Sequence, residues 1–241
     1  MQFKLENFKP IKSAEIKVND LTLIFGDNNT GKTYIAYALY GLLSKWNDIV
    51  FGIEFFTPQQ KEELRQNGEL SIAKDTLDKN QILQEIASRY AREMAIDVFS
   101  SQAKQDGTVA SLLGIDFIKD KTIERQMGVD SWLHVNISSD NIEIKINGES
   151  YPIEVINHLI LREIFDIPAV FISVSERLGI SLFQKDLDEN MANIVDILKK
   201  NENFDPMQIL FEKSSRYALP IKDNIDFYAA IENAKNKSEL K

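Results

Sequence analysis

Gly26, Asp27, Asn28, Asn29, Thr30, Gly31, Lys32 and Thr33 run consecutively as the pattern G-x-x-x-x-G-K-S/T, between the apolar run Leu21–Phe25 and the helical run Thr33–Leu43. Few short patterns constrain a chain so tightly. The glycines let backbone N–H groups turn inward around phosphate oxygens, and the helix that follows adds the positive end of its dipole. Lys32 is then placed to reach the β and γ phosphates of a nucleotide, and Thr33 to supply a hydroxyl to its magnesium ion. The pattern predicts a strand over Leu21–Phe25, a turn over the loop and a helix after it. ATP with Mg2+ is the expected ligand.

The rest of the composition removes other classes. The 241 residues are 44% apolar, enough for a sizeable core, and no stretch approaches eighteen consecutive apolar residues. The N-terminus Met1-Gln2-Phe3-Lys4-Leu5-Glu6 alternates like a strand and lacks the apolar centre of a signal peptide, so a cytoplasmic location is expected. With no cysteine there are neither disulfides nor thiolate metal sites, and His134 and His158 are too far apart for helical ligand spacing. A net charge of −9 argues against a surface uniformly suited to nucleic acid.

Three alternating runs, Phe3–Phe8, Ala14–Val18 and Leu21–Phe25, open the chain, with Lys-Pro-Ile-Lys and Asn-Asp as turns. An antiparallel pair therefore enters the loop, whereas simple P-loop kinases place the loop after the first strand. Residues 1–56 read as the core strand pair, the loop and the first helix, and residues 57–131 as a helical insertion. Within the latter, Ile82, Ile86, Tyr90, Met94 and Val98 recur at helical spacing as a core stripe. Residues 132–155 read as an antiparallel segment of three runs, Trp132–Ile137, Asn141–Asn147 and Ser150–Val155, with Asn147-Gly148 as a hairpin signal. Residues 156–185 return to the core through the buried-strand pattern Ala169–Ser173, expected beside the loop strand, and residues 186–241 begin a helical arm. Phe55 and Phe56 are expected in the core. Phe3 and Phe8 are aromatic candidates near the loop, although alternating strands bury such rings far more often than they stack bases.

After Ala169–Ser173 come Val174, Ser175, Glu176, Arg177, Leu178 and Gly179, a charged segment where an open α/β sheet places its ligand. With Leu5-Glu6-Asn7-Phe8 and the phosphate loop, this segment resembles the SMC/RecF/OLD branch of ABC-type ATPases. It is most similar to bacterial AAA family ATPases with a Pro-Ala-Glu-Arg-Ser-Gly motif. Glu176, Arg177 and Gly179 match that motif, while Val174, Ser175 and Leu178 replace its Pro, Ala and Ser. The resemblance implies an α/β P-loop NTPase fold, an ABC/SMC-like head with an antiparallel β subdomain and a helical insertion. It also implies Arg177 near the phosphates and Glu176 holding that arginine or facing magnesium.

The resemblance further implies parts that the sequence does not display. Leu112-Leu113-Gly114-Ile115-Asp116 is the nearest approach to an apolar strand ending in Asp-Glu, but Phe117 follows, and no Leu-Ser-Gly-Gly-like segment exists. The expectation is an incomplete head: an N-terminal part that binds ATP, hydrolyses it weakly alone, and associates with a second copy or a missing half. DNA repair and anti-phage defence are roles that the resemblance allows, with DNA or an effector protein as partner. A small P-loop kinase is the alternative enzyme, although Arg125, Arg162, Arg177 and Arg216 are scattered rather than gathered in one lid. A non-enzymatic interaction module is the third reading.

Overall fold

β1 (Gln2–Phe8) lies at the centre of a three-stranded antiparallel sheet, flanked by β2 (Ile11–Lys17) and β4 (Val109–Leu113). The computed structural model describes residues 1–101, 105–127, 129–148, 152–168 and 218–239. Strand alternation buries Phe3 and Leu5 completely. Asn7 then adopts a left-handed φ of 55°, which breaks the alternation and returns Phe8 to the core face. Asn tolerates that conformation better than other non-glycine residues. Phe8 pairs with Ile11 across the two-residue tip Lys9-Pro10, whose Lys9 is also left-handed.

Helix α1 (Lys32–Ser44) buries Ile35, Ala38, Leu39 and Leu42 and touches β2, α2 (Trp46–Val50) and α4 (Lys79–Asp97). Gly41 permits the close approach of α4. An added Cβ there would lie 2.3 Å from Val98 Cγ2 and 2.8 Å from the Tyr90 hydroxyl. The expected stripe on α4 is core: Ile86, Tyr90, Met94 and Val98 are buried and Ile82 packs partly against them.

The stretch 57–131 is not helical throughout. α3 (Pro58–Asn67) is set by a Thr57–Gln60 capping box, proline at its start and a left-handed Gly68 at its end. Three strands follow within the same stretch: β3 (Glu69–Ala73), β4, which joins the first sheet, and β5 (Lys121–Gln126). Helical periodicity on either side hid the five-residue β3, whose Leu70 and Ile72 alternate inward. With β6 (Trp132–Ile137) and β7 (Asn141–Asn147), β3 and β5 make a second antiparallel sheet in the order β3-β7-β6-β5. Its inner face is aliphatic: Leu70 faces Ile144, Ile72 faces Ile142, and Val135 lies between Ile144 and Ile123.

Of the expected run Ser150–Val155, the first two residues lie outside the described residues, and from Ile153 onward the chain is helix α5 (Ile153–Glu163) rather than strand. Ile153, Ile156, Ile160 and Leu161 form its buried stripe, so helical spacing wins over the short alternation. Gly148 has φ 109° and fits closely over Asp130 and Ser131, and the residues that follow it, 149–151, lie outside the described residues. Phe55 and Phe56 are core residues, as expected.

A larger correction concerns Leu21–Phe25. Among the described residues no strand pairs with this segment, and Leu21, Leu23 and Phe25 are 74%, 63% and 83% exposed. An apolar run becomes a buried strand only where strands flank it and layers cover it. The proposed neighbour Ala169–Ser173 lies outside the described residues, as do Glu176, Arg177 and Gly179. The last described element, helix α6 (Leu219–Glu239), returns to pack on α1.

Candidate functional site

The eight residues of the loop form one continuous turn into α1. Gly26, Asn29 and Gly31 have φ of 145°, 63° and 91°, the left-handed and extended-positive shapes that let successive N–H groups converge. Thr30 Oγ1 donates to the Asp27 carbonyl at 2.9 Å, closing the turn, and Ile35 N donates to the Gly31 carbonyl at 3.0 Å, opening the helix. Gly31 is the N-cap of α1, where no side chain caps the helix and no acidic residue occupies the first turn. Among the described residues, the first-turn N–H groups and the positive end of the dipole therefore face the loop without a side-chain cap or a first-turn carboxylate.

Lys32 Nζ folds back onto the loop, donating to the Gly26 carbonyl at 2.8 Å and to the Asp27 carbonyl. A phosphate oxygen is the stronger, charge-assisted acceptor for the same ammonium. Thr33 is exposed, while Gly31 behind it is buried. A groove of about 480 Å³ runs between the loop and β2, lined by Pro10, Ile11, Lys12, Ile24, Gly31 and Lys32 among others. Its size suits a nucleotide-sized ligand, and it holds two lysines at the loop end.

The hairpin tip was legible in the sequence only as a turn, and its closeness to the loop was not. The signal lay in Gly31, which sits against Ile11 so tightly that a Cβ would meet Ile11 Cγ1 at 2.9 Å. Phe3 and Phe8 have no exposed surface and cannot stack on a base. Asp116 belongs elsewhere: it pairs with Lys79 Nζ at 2.6 Å, just beyond the end of β4 that adjoins Gln2. That end of β1 is about 20 Å from the tip at Phe8, six residues of extended strand. The Lys79 ammonium holds the Asp116 carboxyl below its usual range.

Both histidines have partners on the surface. His134 contacts Glu124 at 3.4 Å and stacks beside Trp132, while His158 Nε2 meets the Asn47 carbonyl at 2.9 Å. Among the described residues no cluster of three or more His, Cys, Asp or Glu side chains could hold a metal ion. Nor, among them, is any helix long and apolar enough to cross a membrane.

The fold is mixed α/β with antiparallel sheets, and the candidate site is a glycine-bounded loop at a helix N-terminus, an arrangement suited to holding phosphate. A family model described as AAA ATPase domain matches residues 1–240. The chain belongs to that family. Nucleotide binding is the activity that membership implies, typically with magnesium. No curated protein and no solved structure matches the chain.

Proposed function

We propose that this chain is the ATP-binding N-terminal part of an SMC/OLD-like ATPase head, in which nucleotide binding governs association with a second head or second half. The observation carrying this reading is the phosphate loop at the uncapped start of α1, entered through the antiparallel pair β1–β2. Simple kinases enter the loop from their first strand, and the hairpin favours an ABC-like head.

The residues fit the ligand. Gly26 to Gly31 offer backbone N–H groups to a polyphosphate, Lys32 offers its ammonium and Thr33 its hydroxyl. Bound magnesium would neutralise phosphate charge and orient the terminal phosphoryl group. Hydrolysis needs in addition an acidic group that grips the metal and orients water. Among the described residues the one carboxylate of the loop is Asp27, and Asp116 stands at the far end of β1. ATP is therefore bound by this chain and turned over efficiently only in association. DNA handling or phage defence would follow from what the associated head drives.

The test is a thermal-shift titration with ATP·Mg and with ADP, beside Lys32→Ala, followed by phosphate release. A ligand that binds only the folded state stabilises it by about 2.7 kcal/mol at one hundred times Kd. Stabilisation lost in Lys32→Ala, with little phosphate release, is the expected result. Robust turnover abolished by Lys32→Ala would instead mark a self-sufficient enzyme such as a kinase, and no shift with either nucleotide would leave the interaction-module reading.

A further inference from the structure

We propose that the tip of the β1–β2 hairpin is the positioning device of the phosphate loop, with Ile11 the residue that holds Gly31 in its left-handed shape. This rests on the nucleotide-binding reading and adds a residue that neither the loop pattern nor the family match assigns.

Contact is direct at one point. Ile11 is 6% exposed, and its Cγ1 stands 2.9 Å from where a Cβ on Gly31 would be, with Pro10 Cγ at 3.6 Å. Gly31 caps α1, so the peptide held by this contact aims the first helical N–H groups at the loop. Among the described residues nothing comparable steadies the loop elsewhere: Gly26 to Thr30 are exposed, and an added Cβ on Gly26 would find Thr30 Oγ1 and Lys32 Cδ, both groups of the loop itself.

A buttress works only if it is itself fixed, and the tip is pinned from two other sides. Beneath it, fully buried Phe8 meets Tyr34 edge-on at 6.1 Å and Phe99 at 4.9 Å, so the tip is keyed to α1 one residue after Thr33. Beside it, Gln105 accepts from Lys9 N at 3.3 Å and donates to the Asn7 carbonyl at 3.2 Å, while Thr108 Oγ1 donates to the same carbonyl at 3.3 Å. These bonds bracket Asn7 and Lys9, the two left-handed residues of the tip. Left-handed non-glycine residues persist where their surroundings over-determine them, and such positions gather at functional sites. The tip is held in an unfavourable shape that presents Pro10 and Ile11 to Gly31.

The experiment compares nucleotide affinity, by equilibrium binding of ATP·Mg, with thermal stability across five variants of the whole chain. Ile11→Ala is expected to weaken binding about tenfold and Gln105→Ala about threefold, the range seen for residues that act through a neighbour. Ile11→Val, which keeps Cγ1, binds within about twofold of the unmodified chain on the same scale. Ile142→Ala, a core deletion in the other sheet, lowers thermal stability and leaves affinity unchanged. Lys32→Ala, which removes the phosphate-facing ammonium, abolishes binding and checks the assay. Unaltered affinity in both Ile11→Ala and Gln105→Ala overturns the proposal, as does an equal loss in Ile142→Ala. If Ile11→Ala does not fold, Gln105→Ala decides alone. No binding by the unmodified chain overturns the nucleotide reading and the buttress together, whereas binding that is sensitive only to Lys32→Ala overturns the buttress alone.

Discussion

Tyr40, on the helix that begins at the phosphate loop, donates a hydrogen bond from its hydroxyl to Asp223 Oδ2 at 2.6 Å, and so ties α1 to α6 across 183 residues. Leu219 N donates to the Val98 carbonyl beside it, and Tyr37 and Ile225 form a small buried cluster of their own. Burial first, and the Asp223 carboxylate second, push the Tyr40 hydroxyl up to about 12. A folded value above the unfolded one means that the neutral form is favoured by folding. The contribution is complete below about pH 10 and disappears as the pH rises through 12. Tyr40→Phe should remove the alkaline loss and reduce α6 protection in hydrogen exchange. Asp223→Asn should lower the Tyr40 value in an ultraviolet titration without restoring it to 10, because burial is the larger cause. A Tyr40 that ionises near 10 in the unmodified chain would contradict the contact.

Asn157 is the second long-range joint. Its Oδ1 accepts from Phe55 N at 2.7 Å and Phe56 N at 3.2 Å, and its Nδ2 donates to the Ile53 carbonyl, all at a residue 5% exposed. One side chain thus satisfies three buried backbone groups. Asn157→Leu keeps the branched shape with somewhat larger methyl groups and strands all three. A loss of about 3–5 kcal/mol is expected in urea unfolding, each stranded group costing about 1–3 kcal/mol and the effects not adding fully. A loss under about 1 kcal/mol would mean that water replaces the side chain.

Glu163 responds to acid in the opposite sense to Tyr40. Burial pushes its carboxyl up, but the hydrogen bonds from Lys121 Nζ at 2.6 Å and Arg162 Nε at 2.7 Å prevail and hold it below the usual value of 4.5. The pair with Lys121 joins β5 to α5. A depressed folded value stabilises fully above the unfolded pKa and ceases to do so as the pH falls through the folded one. The melting-temperature difference between the unmodified chain and Glu163→Gln should therefore be widest near neutrality and close below the ordinary carboxylate range. A difference that stays constant into acid would assign the loss to packing.

These joints also mark the limit of what the sequence could show. Local chemistry was legible: the glycine spacing of the loop, the stripe on α4 and the core positions of Phe55 and Phe56 all follow from short-range rules. Pairings between distant residues were not. β3 and β4 are five residues each, too short for a periodicity argument, and their partners β7 and β1 are set by cross-strand contacts such as Leu70 with Ile144 and Leu5 with Ala110. The same holds at the site, where Ile11 against Gly31 depends on a hairpin whose shape is set by Gln105, nearly a hundred residues away.

Leu21–Phe25 is where the local rule and the structure part company, and it supports a prediction of its own. Its alternation reads as a strand, yet Leu21, Leu23 and Phe25 stand in solvent immediately before the loop. Exposed side chains contribute little to folding, and surface substitutions usually fall within about 0.5 kcal/mol. Leu21→Ser combined with Leu23→Ser should then leave urea unfolding of this chain within that range, while raising its soluble concentration, because apolar patches of this kind drive self-association. Gly41→Ala supplies the contrast. There a single methyl group enters the packed contact with Val98 and Tyr90, and a loss of about 1–3 kcal/mol is expected. If the double serine variant loses as much as Gly41→Ala, the segment is a buried strand in solution. The phosphate loop would then hang from a sheet interior, and not from the hairpin tip alone.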